Sequence, residues 1–583
     1  MKQLFIIRFL MIGVVVATLL TLVACGTQQE EPQALTDTPV VVLGTTPVPA
    51  AVPTATPPVA EPAPVAEPAP AAAMTGEGPK RGGTLNFVGA AGIGYDCHKL
   101  LTSNCVGSSD PVFSGLVYYD PTQPEINPTN VVGDLAESWD ASGDGTTYTF
   151  NLKDATWNDG RPFTAEDVAY SMEHITDPDL SVLSSWFLPY DRTEVTDLKT
   201  AVVHLSRPQS SFVPLLAASY SMMFRQDIVE GNDYRDSGFL VGTGPFMFKE
   251  EVPGVTLELE RNPNFFKEGL PYLDGVVGHK IVEPNAVFAA LAADRLQLDN
   301  WCCGVGTVDG LVETQKNLPH LVIQMMPNGY GGGLAFMGQI ADDKPWGNKK
   351  VRQAVNLVLD RPSLIKALTG SEHWGTYGGY IWPGLPYALP REELDALIAH
   401  DKEIEERVAL AKQLMADAGY ADGFDAGSVL TRAGFAEGQI DLLVDLLQRH
   451  LDIKLSIEIL ASTGVMLEKV TSRDFDYTHE WASVALGEPD EMHGYALPGS
   501  NRNWSGYDNA RFTELYNQQS ASLDLSQRID LNHELERLLL DDVPYIHLGF
   551  MSWATRHQPY VQGWVKSYGY ANNAHWERVW LDN

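Results

Sequence analysis

Hydrophobic and polar positions change their period several times along this chain. Phe9 to Val23 is apolar or neutral throughout, behind a head that carries Lys2 and Arg8. At about fifteen residues that run falls short of the ~18–20 needed for a permanent bilayer span, and it is followed by small residues and Cys25. From Gln28 to Pro79 no period survives: Pro, Ala, Val, Thr and Glu alternate, as in Pro47 to Pro58 and Ala60 to Pro70. Such a stretch buries almost nothing and favours extended polyproline II, so it predicts a semi-rigid stalk reaching on the order of 150 Å if fully extended.

Beyond Lys80 the periods of two and of 3.6 take over. Thr84 to Val88, led by Gly82 and Gly83, predicts a strand. Tyr148, Phe150 and Leu152 alternate with polar neighbours, as do Val255, Leu257 and Leu259, which predicts half-buried strands. Thr164 to Asp167 has the form of a capping box ahead of a helix through Val168 and Met172. Val351, Ala354, Val355 and Val358 recur at helical spacing. So do Val408, Ala411, Leu414, Met415 and Ala418, with Gly419 placed as a C-terminal cap. A further amphipathic helix through Ile440, Leu443, Val444 and Leu447 feeds the alternating strand Ile453 to Ile459. Helix followed by strand, repeated, defines an α/β fold.

Composition then removes whole classes of function. The 583 residues carry a formal net charge of −35, which argues against nucleic acid and against a body lying on anionic lipid. The ~500 residues after the stalk exceed what one core supports, so two or three lobes are expected. Apart from Cys25, the cysteines are Cys97, Cys105, Cys302 and Cys303, an even number that fits an oxidising compartment. Pairing Cys97 with Cys105 and Cys302 with Cys303 is the local solution, and cross-pairing is the alternative. The 14 histidines show no HxH or HExxH spacing, His533-Glu534 included, so no metal and no cofactor is expected. No nucleophile elbow or P-loop appears. The acidic pairs Asp342-Asp343 and Asp541-Asp542 read as solvated charges, not as an acid/base couple.

Two resemblances sharpen this reading. Leu22-Val-Ala-Cys25 resembles the lipobox of bacterial lipoproteins, which implies a signal peptide at 1–24 and lipidation of Cys25 at the head of a stalk covering 25–80. Leu135 to Asp140, Asp144 to Lys153 and Trp157 to Ser171 form a near-continuous block. With Gly242 to Phe246, Arg261 to Pro263, Val351 to Ala354, Asp360-Arg361 and Ala409 to Gly419, it resembles the peptide/nickel-type solute-binding proteins (family 5, cluster C) of bacterial ABC importers.

The resemblance implies an α/β, two-lobed periplasmic-binding-protein-like fold (type II, cluster C) with an extra small domain inserted in lobe I. Lobe I would comprise 82–128, 240–328 and 548–583, the insertion 129–239 and lobe II 329–547. A solute would be held between the lobes and passed to a membrane permease by a monomer tethered through its lipid to the outer face of the cell membrane. Asp474 to Trp481 and Pro489-Asp490 are similar to the lobe II loop that lines the cleft. In peptide-binding members an acid three positions after that tryptophan pairs with the α-ammonium. Here Val484 stands there, and burying an ammonium without a partner costs several kcal/mol.

His479, Glu480, Glu488 and Asp490 are the groups nearby that could substitute, and Trp481 is a flat wall for a ligand. Tyr95, Asp96, Trp301, Cys302 and Cys303 occupy loops whose equivalents line the cleft in family members, and Trp382, Trp504 and Tyr507 are further aromatic candidates. The expected function is capture of a small solute, peptide-like, glycoside or similar, without covalent chemistry. An exported hydrolase with an acidic aromatic groove, or a sensor presenting its closed form to a signalling partner, are the alternatives.

Overall fold

The computed structural model describes residues 78–583, apart from 90–93, 101, 121–129, 301–306, 326–332, 433–435, 462, 483–486, 501 and 566–574. Cys25, the stalk up to residue 77, Trp301, Cys302, Cys303 and Val484 therefore lie outside the described residues. Among the described residues no helix is long and apolar enough to cross a membrane.

Three sheets carry the architecture. A seven-stranded sheet runs, in spatial order, Val322–Met325, Ala554–His557, Leu298–Asn300, Thr84–Val88, Gly275–His279, Thr256–Arg261 and Phe246–Val252. Thr84–Val88 pairs in parallel with both of its neighbours. Leu257 and Leu259 point inward as their alternation requires, but Val255 does not join them. It is exposed in the hairpin turn, where its N–H donates to the Val252 carbonyl at 2.9 Å. The Gly242-Thr-Gly244 block has a steric reason. A Cβ on Gly242 would fall 2.0 Å, and one on Gly244 2.6 Å, from the Val112 carbonyl oxygen, and Gly244 donates its N–H to that oxygen at 2.7 Å.

A six-stranded sheet runs Gly375–Thr376, Ile546–Met551, Gly333–Gly338, Tyr477–Ala482, Phe424–Arg432 and Ile453–Leu460. Along Gly333–Gly338 alternate side chains enter different cores. Leu334 and Phe336 pack with Val355 and Leu443, whereas Ala335 and Met337 pack with Phe512 and Leu535. The expected helices form at Lys349–Val358, Ile404–Asp417 and Glu437–Leu451, and Gly419 takes the left-handed φ of +87° beyond the second. Ile546–Met551 pairs antiparallel with Gly333–Gly338 in this sheet.

The third sheet has four antiparallel strands, Ala136–Ala141, Thr147–Leu152, Thr200–Leu205 and Tyr190–Asp197. Helix Ala165–Thr176 covers it, started by Asp167, whose carboxylate accepts the Thr164 N–H at 2.9 Å. Phe150, Trp157 and Val203 of this unit share one hydrophobic cluster with Leu85 and Phe87 of the seven-stranded sheet. Each such buried side chain contributes about 1.5–3 kcal/mol, so the small unit is packed firmly onto that half. Between the seven- and six-stranded sheets the chain passes twice, from Met325 to Gly333 and from Met551 to Ala554. Two crossings are what a hinge between halves requires.

Candidate functional site

The six-stranded half presents its charged groups at strand ends. Val429 lies opposite Tyr477, and Leu430 opposite Thr478, in a parallel pair. Continuing that register sets Arg432 beside Glu480. Arg432 donates from Nε to Glu480 Oε2 at 3.0 Å and from Nη2 to Oε1 at 2.9 Å. This two-point fork is the strong form of the pair.

His479, one residue earlier, faces the other way. Its Nε2 is 3.0 Å from Gln439 Oε1, which only accepts, so that nitrogen carries the hydrogen. Nδ1 then accepts from the Thr431 hydroxyl at 3.2 Å. Burial, with Arg432 adding to it, holds the ring pKa down at about 3. Both nitrogens are engaged inside the lobe, so His479 has none left for a solute.

Glu488 and Asp490 open the short helix Pro489–Gly494 and are equally committed. Arg528, from helix Leu525–Asp542, donates to Glu488 Oε2 at 2.9 Å and to the Tyr387 hydroxyl at 3.2 Å. Burial works against its charge, but Glu488 and Asp490 outweigh burial and keep the guanidinium protonated. Burial pushes the Glu488 carboxyl up, with Arg528 opposing. Asp490 accepts from Ser520 Oγ at 2.9 Å, from Gln209 Nε2 at 3.2 Å, and from Ser211 Oγ and Gln519 Nε2. Gln209 and Ser211 follow the four-stranded sheet, and Ser210 donates its N–H to the Ser520 carbonyl at 2.8 Å. Asp490 is thus a seam joining that unit to helix Ala510–Ala521.

The aromatic candidates divide. Tyr95 is fully buried in the shared cluster, and its N–H donates to the Tyr234 carbonyl at 2.7 Å. Trp504 and Tyr507 are buried in the second core of the six-stranded half. The Tyr507 hydroxyl donates to Asp542 Oδ2 at 2.6 Å, and Asn509 Nδ2 donates to the same oxygen at 2.7 Å. Asp542 also pairs with Lys349 at 2.8 Å, so this member of the Asp541-Asp542 pair is a half-buried anchor, contrary to its expected solvation. Trp382 is half-buried beside Ile381 and Leu385. Trp481 sits opposite Leu334 in the strand register.

Two features were invisible to sequence reasoning. The arginines Arg432 and Arg528 neutralise the expected acids, and only the strand register and helix packing show which acid each one meets. The third candidate region, Asp96, holds a cluster of its own. Cys97 and Cys105 form a disulfide, as expected, and His98 lies inside the loop it closes. Asp96 Oδ1 accepts the N–H of His98 at 3.0 Å and of Lys99 at 3.3 Å. His98 Nδ1 lies 2.9 Å from Nδ1 of His174, on the last turn of helix Ala165–Thr176. All three side chains are buried.

Two α/β halves with two chain crossings, and charged groups mutually locked at the strand ends, define a two-lobed binding protein. The family described as bacterial extracellular solute-binding proteins, family 5 (middle), matches residues 130–504, and the chain belongs to it. The chain is 23% identical over 455 residues to a dipeptide-binding protein, DppE, of Bacillus subtilis (74% of this chain, 81% of that one). It is 23% identical over 502 residues to heme-binding protein A of Haemophilus influenzae (79% and 86%). The structure of a periplasmic binding protein, AgaA, of A. tumefaciens R10 with agropinic acid has the same fold, with a TM-score of 0.75 at 20% identity over 86% of this chain and 99% of that one. The protein is an extracytoplasmic solute-binding receptor of the ABC-importer type.

Proposed function

We propose that the receptor captures, between its two halves, a small solute that presents no free α-ammonium at position 484. One observation carries this reading. Val484 replaces the acid expected there, and each nearby acid is already tied to a cation or hydrogen-bonded within the protein: Glu480 to Arg432, Glu488 to Arg528, and Asp490 to its seam. A buried ammonium would find no partner among these groups and would forfeit several kcal/mol. The relatives' names span a dipeptide, haem and agropinic acid, so the fold accommodates solutes of unlike charge.

Trp481, Trp382, Trp301, Cys302 and Cys303 would supply flat, weakly polar walls for such a solute. Lobe I comprises 82–128, 240–328 and the segment after Met551, the insertion 129–239 and lobe II 329–551. The mature chain begins at a lipidated Cys25, stands on its stalk as a monomer, and hands its solute to a permease without chemical change.

The test is a panel of free peptides, N-acylated peptides and amino-acid–sugar conjugates, read by tryptophan fluorescence and thermal shift. Acylated or conjugated amines should bind at least as tightly as their free counterparts. Preference for the free amine by tenfold or more, about 1.4 kcal/mol, would contradict the reading. Replacing Cys25 by Ala should release the protein from membranes.

A further inference from the structure

Asp96, His98 and His174 take no part in the contacts just assigned, yet they leave bare atoms facing each other under complete cover. Asp96 and His98 are 0% exposed and His174 is 2% exposed. His98 Nε2 is 3.1 Å from the Met222 carbonyl, which only accepts, so this nitrogen carries the hydrogen and Nδ1 offers a lone pair. The contact of 2.9 Å between the two Nδ1 atoms then draws its hydrogen from His174. That leaves His174 Nε2 bare. It points at Asp96 Oδ2, 3.7 Å away, and neither atom has a hydrogen-bond partner.

Two buried lone-pair atoms at this spacing repel unless a cation lies between them. Ligand bonds of about 2.0–2.2 Å in a tetrahedral site place two donors roughly 3.3–3.6 Å apart, close to the 3.7 Å seen here. One donor atom from each of Asp96, His98 and His174 lies within 4.8 Å of the others. The bond from His174 Nδ1–H to His98, a ring itself fixed by the Met222 carbonyl, is the outer bond that sets the tautomer of the ligand imidazole. The walls are apolar: the Phe224 ring centroid is 4.4 Å from that of His98, and Tyr170 is 6.0 Å from His174. Lys99 Nζ lies 3.5 Å from Asp96 Oδ2, but its side chain is 34% exposed and has water to move into.

We propose that Asp96 Oδ2 and His174 Nε2 bind one divalent first-row transition ion, best matched by Zn²⁺, with His98 holding the His174 ring in position, and that the ion pins the disulfide-closed loop to helix Ala165–Thr176. An imidazole and a carboxylate suit such an ion, whereas Ca²⁺ and Mg²⁺ require oxygen-rich cages. The site is formed by the loop after the first strand and the inserted unit, so it stands whatever solute the cleft takes.

The test uses the full chain, stripped with chelator and dialysed against Zn²⁺, with metal content and melting temperature as readouts. One Zn²⁺ per chain and a raised melting temperature are expected. His174→Gln and Asp96→Asn should each weaken binding at least tenfold with near-ultraviolet circular dichroism unchanged. Lys99→Met should tighten Zn²⁺ binding severalfold by removing the nearby ammonium, and it keeps a readout should the ligand variants misfold. The proposal is overturned if the wild type takes up no Zn²⁺, if both ligand variants retain it, or if Lys99→Met leaves affinity unchanged. It is equally overturned if stability at this site responds to pH and not to Zn²⁺, which would make the cluster a shared-proton pair.

Discussion

Two buried charge clusters against the seven-stranded half differ in one respect, namely whether the chain supplies its own cation. At Lys267 it does. The ammonium sits 2.8 Å from Asp134 Oδ1 and 3.1 Å from Glu577 Oε1, tying the start of the inserted unit to the C-terminal segment. Burial works against that charge, but the two carboxylates outweigh it and hold the lysine protonated; Lys267 in turn holds Glu577 well below the usual carboxylate range against its own burial. At Asp96 the chain supplies imidazoles instead, and the cation at its side, Lys99, is partly in solvent. A closed ion cluster is mechanical. One with bare atoms turned inward implies a guest.

The largest effect should come from breaking the closed cluster. Lys267→Met leaves two buried carboxylates without their cation and should cost about 3–5 kcal/mol in denaturant unfolding. A loss under about 1 kcal/mol would erase the distinction drawn here.

Glu536 offers an intermediate case, a buried carboxylate with backbone donors and no cation among them. It accepts N–H groups from Tyr380, from Ile381 at 2.8 Å and from Leu389 at 3.4 Å, and burial pushes its pKa from 4.5 up to about 7 against those bonds. The folded state therefore binds the proton more tightly than the unfolded one. Its contribution is complete below pH 4.5 and lost as pH rises through about 7, up to roughly 3 kcal/mol. Glu536→Gln should flatten stability over that window in pH-dependent unfolding, and an unchanged slope would refute the assignment.

Replacing Cys97 and Cys105 by Ser should cost about 2–3 kcal/mol, as expected for so short a loop, and should weaken Zn²⁺ uptake because His98 loses its frame. Unaltered metal binding would mean the loop needs no staple. The smallest change expected is at the Asp490 seam. Ser211→Ala removes one hydroxyl donor from a buried carboxylate and should destabilise by about 1–3 kcal/mol, with little effect on the Lys267 cluster.

Legibility from sequence followed the length scale of each interaction. Strand Thr147–Leu152 and helix Lys349–Val358 were readable because one buried face imposes its period on consecutive residues. Val255 was misplaced because the alternation continues into a turn that the residues themselves do not mark. Asp542 was misread because its partners, Lys349, Tyr507 and Asn509, come from remote segments. The same holds for the acids near position 484: their types and neighbourhood were legible, but the arginines that engage them were not. His98 and His174 are 76 positions apart and meet only through the packing of the inserted unit on the first strand's loop.

The central claim is that two halves hold an unaltered guest between them. Native mass spectrometry of the lipid-free chain, incubated with the solute panel and then gently activated, tests it most directly. The account predicts one-to-one complexes that release each solute at its original mass, with competition between bound species. No retained solute across the panel, or release of cleaved products, would contradict it.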